Sequence, residues 1–435
     1  MMKPLFAFLF LICIGINQEE IAAQSISSQA ALKIIPAAER MDVYLPLLKG
    51  KSVGIFANQT SVVGKSHLVD TLLKKNILIK KIFAPEHGFR GIGDAGEDIN
   101  STRDPKTGIP IISLYGDKLK PSEDDLKDID ILVFDIQDVG VRFYTYISSL
   151  QKYLEAAVEN NRPLIILDRP NPNGFYVDGP VLDPKFKSFV GMQPVPVVYG
   201  MTIGEYAKML IGEKWLEPRI SGDLNTIHAI DDGEKKIDSL LHKLTNEIVD
   251  FTVSGFQLFV VPCKNYTHKS KYILPVKPSP NLPNMQSVYL YPSICLFEGT
   301  AISLGRGTDK PFQQFGSPFF PSFLYHFIPQ STEGAKTPPL LNQVCYGFDL
   351  SKIDIGKEIN HHLQLKWLIK AYSLYPEKKY FFLPSNYFNK LAGSDLLMQE
   401  IKAGKKENEI RKSWEPALSQ FKKIRKKYLI YPDFK

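Results

Sequence analysis

Short apolar runs bounded by Pro, Gly and Asp recur through the first half of the chain. Residues 51–58 (KSVGIFAN), 77–84, 109–114, 130–136 and 164–168 each pack several aliphatic or aromatic residues together and end in turn chemistry. Runs this short fit parallel strands buried on both faces. Between them, residues 67–75 and 146–160 space their apolar positions as a helix does. Strands alternating with helices imply right-handed βαβ units. The predicted fold is therefore α/β: a Rossmann-like, doubly wound, mostly parallel sheet.

The second half is less regular. Residues 275–283 (PVKPSPNLP) hold four prolines and read as a fixed, extended segment. Residues 298–309 (EGTAISLGRGTD) are glycine-rich, and from about 360 onward the pattern turns helical, with a long amphipathic stretch over 407–431. A catalytic domain over 40–225 and a smaller α+β domain over 226–435 are expected, the boundary falling loosely near 210–235, with a cleft between them.

Composition adds three points. Lys3 precedes an apolar run over 5–16, and small residues follow at Ala22 and Ala23. This reads as a signal peptide over 1–24, cleaved near Ala23 or Gln24. The run is too short to span a bilayer, and no later segment is long or apolar enough to be a transmembrane helix. The protein is thus expected to be secreted across the inner membrane into the periplasm. Leu11 and Ile12 ahead of Cys13 are not the small residues of a lipid-attachment site, which argues against a lipid anchor. Once Cys13 leaves with the leader, Cys263, Cys295 and Cys345 remain; three thiols without metal-ligand spacing read as small buried side chains. The net charge of +7 suits an anionic wall polymer, and no interleaving of aromatic with basic residues argues for nucleic acid.

In a doubly wound sheet, function gathers at the carboxyl ends of the strands, and the polar loops here follow the apolar runs. Asn58, Gln59 and Thr60 follow the first, and Pro85, Glu86, His87 and Gly88 the second. A carboxyl at a strand end is readily desolvated, which raises its pKa and suits a general acid; equally, Glu86 could cap a helix or pair with Arg90. Asp135, Gln137 and Asp138, with Arg142 and Tyr144 close behind, could hold a metal or a substrate hydroxyl, or Asp138 could pair with Arg142 at helical spacing. Arg169 and Asn171 lie in DRPNPN, where Arg169 could fork onto a carboxylate or the asparagines could fold onto their own backbone. Gly305 and Gly307 around Arg306 suit an anion-binding nest. The dinucleotide fingerprint, the P-loop, a zinc signature and a nucleophile elbow are all missing from the sequence.

Taken together, FANQTSVVG (56–64), FAPEHGFRG (83–91), DAGE (94–97), TGIPIISLYG (107–116), DILVFDIQDVGVRFYTY (130–146), LDRPNPNG (167–174), GMTIGEYAK (200–208), PSPNLPN (278–284) and FEGTAISLGRGTDKPF (297–312) resemble the exo-lytic β-N-acetylmuramidases of peptidoglycan recycling, the NamZ-like family. The resemblance runs from about residue 50 to the C-terminus. It implies an exo-acting glycosidase that releases N-acetylmuramic acid from the non-reducing end of peptidoglycan fragments such as the MurNAc–GlcNAc disaccharide and muropeptides, with no cofactor and no metal. It places the leading catalytic carboxylate on Glu86 and the second on Glu298, with Asp135, Asp138 and Glu97 as competitors. Asn58, Thr60, His87, Arg90, Asp135, Gln137, Asp138, Arg142, Tyr144, Arg169, Asn171 and Arg306 are the expected substrate contacts, Arg306 or Arg142 facing the lactyl carboxylate. Ahead of PSPN, where the family is expected to carry Trp and Arg, this chain has Asn265-Tyr266-Thr267-His268. Two other classes fit the same residues: a non-catalytic muropeptide- or sugar-binding protein, and a metal-dependent hydrolase built on Asp135, Asp138 and His87.

Overall fold

Eight strands form the main sheet of the computed structural model: β1 (Ser52–Ala57), β2 (Leu78–Ala84), β3 (Thr102–Arg103), β4 (Pro110–Ser113), β5 (Ile131–Asp135), β6 (Leu164–Leu167), β7 (Val249–Val253) and β8 (Phe256–Val261). Their order is β7-β8-β6-β5-β1-β2-β4-β3. The inner six are parallel, and β3 and β7 run antiparallel at the two edges. Counting only the parallel strands in chain order, the sheet reads 3-2-1-4-5-6, the order of dinucleotide-binding folds. Its switch point lies between β1 and β5, where connections leave to opposite faces and open a crevice at the carboxyl ends. The structure describes residues 32–86, 88–90, 102–217, 248–253, 256–359 and 361–434; the leader expected over 1–24, His87 and Glu97 lie outside them.

Helices cover both faces, which is why the strands read as unbroken apolar runs. Alternate residues of each strand point to opposite sides. Phe56, Phe83, Leu132, Phe134, Ile166 and Val260 share one core with helices α4 (Tyr146–Glu159) and α5 (Ile203–Gly212). Val53, Ile55, Ile131, Val133, Ile165 and Val261 share the other with α1 (Met41–Leu48) and α2 (Leu68–Lys74). The short helix α3 (Glu123–Leu126) leads into β5. The capping box at Thr202 and Glu205 fixes where α5 starts.

The boundary expected at 225/226 lies outside the described residues, and the parallel sheet continues on its far side. Beyond it, β8 pairs in parallel with β6, Val260 lying opposite Ile166. Its sequence, FQLFVV, is as apolar as the earlier runs and supplies the missing sixth parallel strand. The smaller α+β part begins with α6 (Met285–Ile294) and the 3-10 turn Cys295–Gly299. It holds a three-stranded antiparallel sheet, β9 (Gln314–Ser317), β10 (Tyr325–Phe327) and β11 (Cys345–Asp349), ordered β9-β11-β10, and helices including α7 (Tyr387–Ala392) and α8 (Glu407–Lys426). Ile34–Lys435 form one compact unit, because the core above α4 and α5 runs on through Phe297, Phe312, Phe315 and Trp414. Cys263, Cys295 and Cys345 are free and buried, as expected of small core side chains.

Candidate active site

Strand β2 delivers Glu86 to the crevice. The strand ends at Ala84, Pro85 fixes the exit, and the Gly88 amide donates to the Pro85 carbonyl at 2.9 Å to close the turn. Glu86 is half-buried, and Thr145, the residue just before α4, donates its hydroxyl to Glu86 Oε2 at 3.3 Å. Two strand-end loops thus meet at one carboxylate. It faces a cavity of about 660 Å³ whose walls come from both parts of the chain. Tyr115, beyond β4, lines it from the sheet; Glu298, Arg306, residues 334–340, Tyr375 and Tyr387 line it from the α+β part.

Glu298 sits in the 3-10 turn after α6, and Arg306 donates Nε and Nη2 to its Oε1 at 2.8 and 2.6 Å. Both side chains are 19% exposed. Among the described residues, neither Glu298 Oε2 nor Arg306 Nη1 has a hydrogen-bond partner, so the pair keeps one acceptor and one donor for the cavity. Burial would lower the Arg306 pKa, but the Glu298 carboxylate outweighs it and holds the guanidinium charged. The guanidinium also lies over the Phe312 ring at 4.9 Å. The glycines flanking Arg306 do not form the expected anion nest. The Gly305 amide turns inward to Ser303 Oγ at 3.3 Å, and a side chain on Gly307 would meet the Gln330 carbonyl. They make room for a tight turn that aims Arg306 at the cavity.

Glu86 and Arg306 also line a recess of about 50 Å³, completed by Tyr144, Thr145, Ser279 and Asn281. It has room for a water-sized group. Tyr144 donates to the Pro278 carbonyl at 2.7 Å, and Asn281 Nδ2 to the Gly334 carbonyl at 2.7 Å. The proline-rich segment is thereby pinned against the strand-end loops.

The other expected contacts are built into the scaffold. Asp135 and Arg169 form a two-pronged pair at 2.6 and 2.8 Å, both fully buried, so neither reaches the cavity. Arg142 is buried and caps three carbonyls, of Pro180, Val195 and Leu391, at 2.9, 2.7 and 2.7 Å; burial lowers its pKa to about 9. Asp138 does not pair with Arg142, because the chain is not yet helical there. It accepts from the Gly140 amide and the Tyr199 hydroxyl, and burial raises its pKa to about 7 against those hydrogen bonds. Asn58 bridges Thr60 and Tyr146; Thr60 holds the Gln137 amide; Gln137 reaches the carbonyls of Asp138 and Pro170. Asn171 donates to the Met201 carbonyl and accepts from the Asn173 amide, an asparagine folded onto its own backbone. Arg90 grips Asp104 rather than Glu86, at 2.8 and 3.0 Å.

Some wall residues carried no signal in the sequence. Tyr387 opens α7 beside Glu298; burial raises its pKa, helped by Glu298, Cys295 and Glu86, so it stays a neutral phenol between two carboxylates. Phe319 and Tyr375 come from irregular segments whose approach depends on the three-dimensional fold.

The chain matches known proteins along nearly its whole length. Residues 53–286 match the N-terminal family model, and 289–431 the C-terminal model, of exo-beta-N-acetylmuramidase NamZ. The chain is 37% identical to the peptidoglycan beta-N-acetylmuramidase NamZ of Bacillus subtilis (strain 168), over 99% of this chain and all of that one. Crystal structures of two DUF1343 family proteins from Bacteroides fragilis NCTC 9343 superpose with TM-scores of 0.79 and 0.73 at 45% and 27% identity, each covering 92% of this chain and 99% of the other. With a carboxylate at a strand end, a second carboxylate facing it from the α+β part, and both family models matching nearly end to end, this chain belongs to the exo-β-N-acetylmuramidase NamZ family.

Proposed function

We propose that this protein is an exo-acting glycosidase that releases N-acetylmuramic acid from the non-reducing end of peptidoglycan fragments, with Glu86 as the general acid. One observation carries the reading: Glu86 and the Glu298–Arg306 pair face the same cavity, which is large enough for a disaccharide. Glu86 protonates the leaving glycosidic oxygen. Glu298 Oε2, which faces no protein donor, is the second carboxylate and stabilises the oxocarbenium-like charge or directs water. Arg306 Nη1 recognises the lactyl carboxylate, the group that separates N-acetylmuramic acid from N-acetylglucosamine; Arg142 is excluded from that role by its three carbonyl partners. The hydrophobic leader over 1–24 fits export to the periplasm, where wall fragments form. Intact mass of the protein recovered from a periplasmic fraction checks this, with a start near Gln24 expected.

Incubation with MurNAc–GlcNAc, read by product mass, tests the activity. The wild type yields free N-acetylmuramic acid. Glu86→Gln, with an unchanged melting curve, loses about 10²–10⁴-fold in kcat, the usual contribution of a positioned acid. Binding without turnover by the wild type would favour a sugar-binding protein instead.

A further inference from the structure

The cavity is not uniform along its length. Glu298 and Arg306 are mostly buried, and Arg306 borders the small recess together with Glu86. Much of the remaining wall is apolar, with Phe319, Tyr375, Leu383, Pro338, Pro339 and Leu340 beside exposed Lys336 and Thr337. Phe319 is 61% exposed although a large aromatic, and Leu383 is 39% exposed. Tyr375 is buried beneath Phe319, with ring centroids 5.7 Å apart and planes at 78°. A T-shaped contact of this kind fixes the orientation of the outer ring and leaves a face open.

We infer that the Phe319–Tyr375 pair, with Leu383 beside it, is the platform for the leaving-group sugar, the N-acetylglucosamine next to the scissile bond. The assignment rests on the hydrolase reading above and extends it. An exo-acting enzyme places the terminal sugar at the closed end and lets the rest of the chain leave through the open end. The mostly buried Glu298–Arg306 pair marks the inner end here, so the leaving sugar projects toward exposed Phe319. The face of an aromatic ring is electron-rich, and the axial C–H groups of a β-linked glucosamine form a weakly positive, apolar surface that suits it. Contact with a ring face makes few directional demands, so the platform binds a sugar without selecting what that sugar carries further along.

The experiment compares two substrates that share the terminal sugar and differ in the leaving group: the MurNAc–GlcNAc disaccharide and methyl β-N-acetylmuraminide, which has no second sugar. Phe319→Ala is expected to raise KM for the disaccharide about tenfold, equivalent to one aromatic contact, while the methyl glycoside keeps its KM and kcat. Phe319→Trp, which preserves a flat face, is expected to restore the disaccharide KM. Because Phe319 is mostly exposed, melting curves of both variants should overlay the wild type. A rise of equal size on both substrates, or an unchanged disaccharide KM, overturns the assignment. If the wild type releases no N-acetylmuramic acid from either substrate, the underlying hydrolase reading fails and takes this inference with it; the two failures are thus told apart by the wild-type control.

Discussion

Arg142, Arg169 and Arg306 all looked suited to a sugar acid, yet their surroundings give them different work. Arg169 neutralises Asp135 inside the sheet edge, Arg142 ties three carbonyls from separate segments, and Arg306 alone of the three lines the cavity. A buried charge is stable only while its partner stays. Asp135→Asn should therefore cost about 3–5 kcal/mol in denaturant unfolding by leaving the Arg169 guanidinium uncompensated. KM, measured on the folded fraction, should not move. A rise in KM without loss of stability would return Asp135 to the substrate site. Sequence distinguishes a polar residue in a loop from one in a strand, but not a loop that opens to solvent from one that folds back on itself. That is why the sequence pointed alike to Glu86, Glu298, Tyr144 and Arg306, which line the cavity or its recess, and to Asn58, Thr60, Asp135, Gln137, Asp138, Arg169 and Asn171, whose side chains are buried in the loops around it.

At the level of elements, the strands and helices of the first half appear where the periodicity placed them, within one or two residues. Continuous apolar runs leave little choice once both faces are covered. The return of the C-terminus was not legible, because it depends on contacts across more than 200 residues. Tyr431 donates its hydroxyl to Asp168 Oδ2 at 2.6 Å, and the amides of Ile430 and Tyr431 donate to Glu205 Oε1 at 2.8 and 3.2 Å. His268 donates to the same Glu205 from the other side at 3.0 Å. Burial raises the Asp168 pKa to about 6, against the pull of Tyr431, Gly204 and Thr202. The native state therefore holds a proton on Asp168 that the unfolded chain releases near pH 4, and stability falls as pH rises from about 4 through 6. Above pH 6 the buried carboxylate is charged and depends on its donors. Tyr431→Phe removes one of them and raises that pKa further, so its cost, about 1–3 kcal/mol, should be larger at pH 8 than at pH 5. Denaturant midpoints at the two pH values check the difference; an equal or reversed gap would place the proton elsewhere.

For the whole molecule, the two family models meet between residues 286 and 289, at the start of α6, yet the physical connections ignore that seam. Arg142 in the first part needs the Leu391 carbonyl of the second at 2.7 Å. Buried Asp178 pairs with Arg411 at 2.8 Å, Arg425 donates to the Gly200 carbonyl at 2.8 Å, and Asp168 takes the Tyr431 hydroxyl. One hydrophobic core runs through both parts. Cutting at the seam would leave a buried guanidinium short of a partner, at about 1–3 kcal/mol, and break a buried ion pair, at about 3–5 kcal/mol, before any loss of apolar burial. Those costs already compete with the 5–15 kcal/mol of a typical fold. A chain of residues 34–286 should therefore show no cooperative unfolding transition, whereas residues 34–435 should unfold in one step with fluorescence and circular dichroism coinciding. The active site imposes the same requirement, since Glu86 and Glu298 come from opposite sides of the seam and face one cavity only while both sides are joined. A 34–286 fragment that melted cooperatively near the full-length midpoint would show that the sheet stands alone and that the cleft can open without cost to the fold.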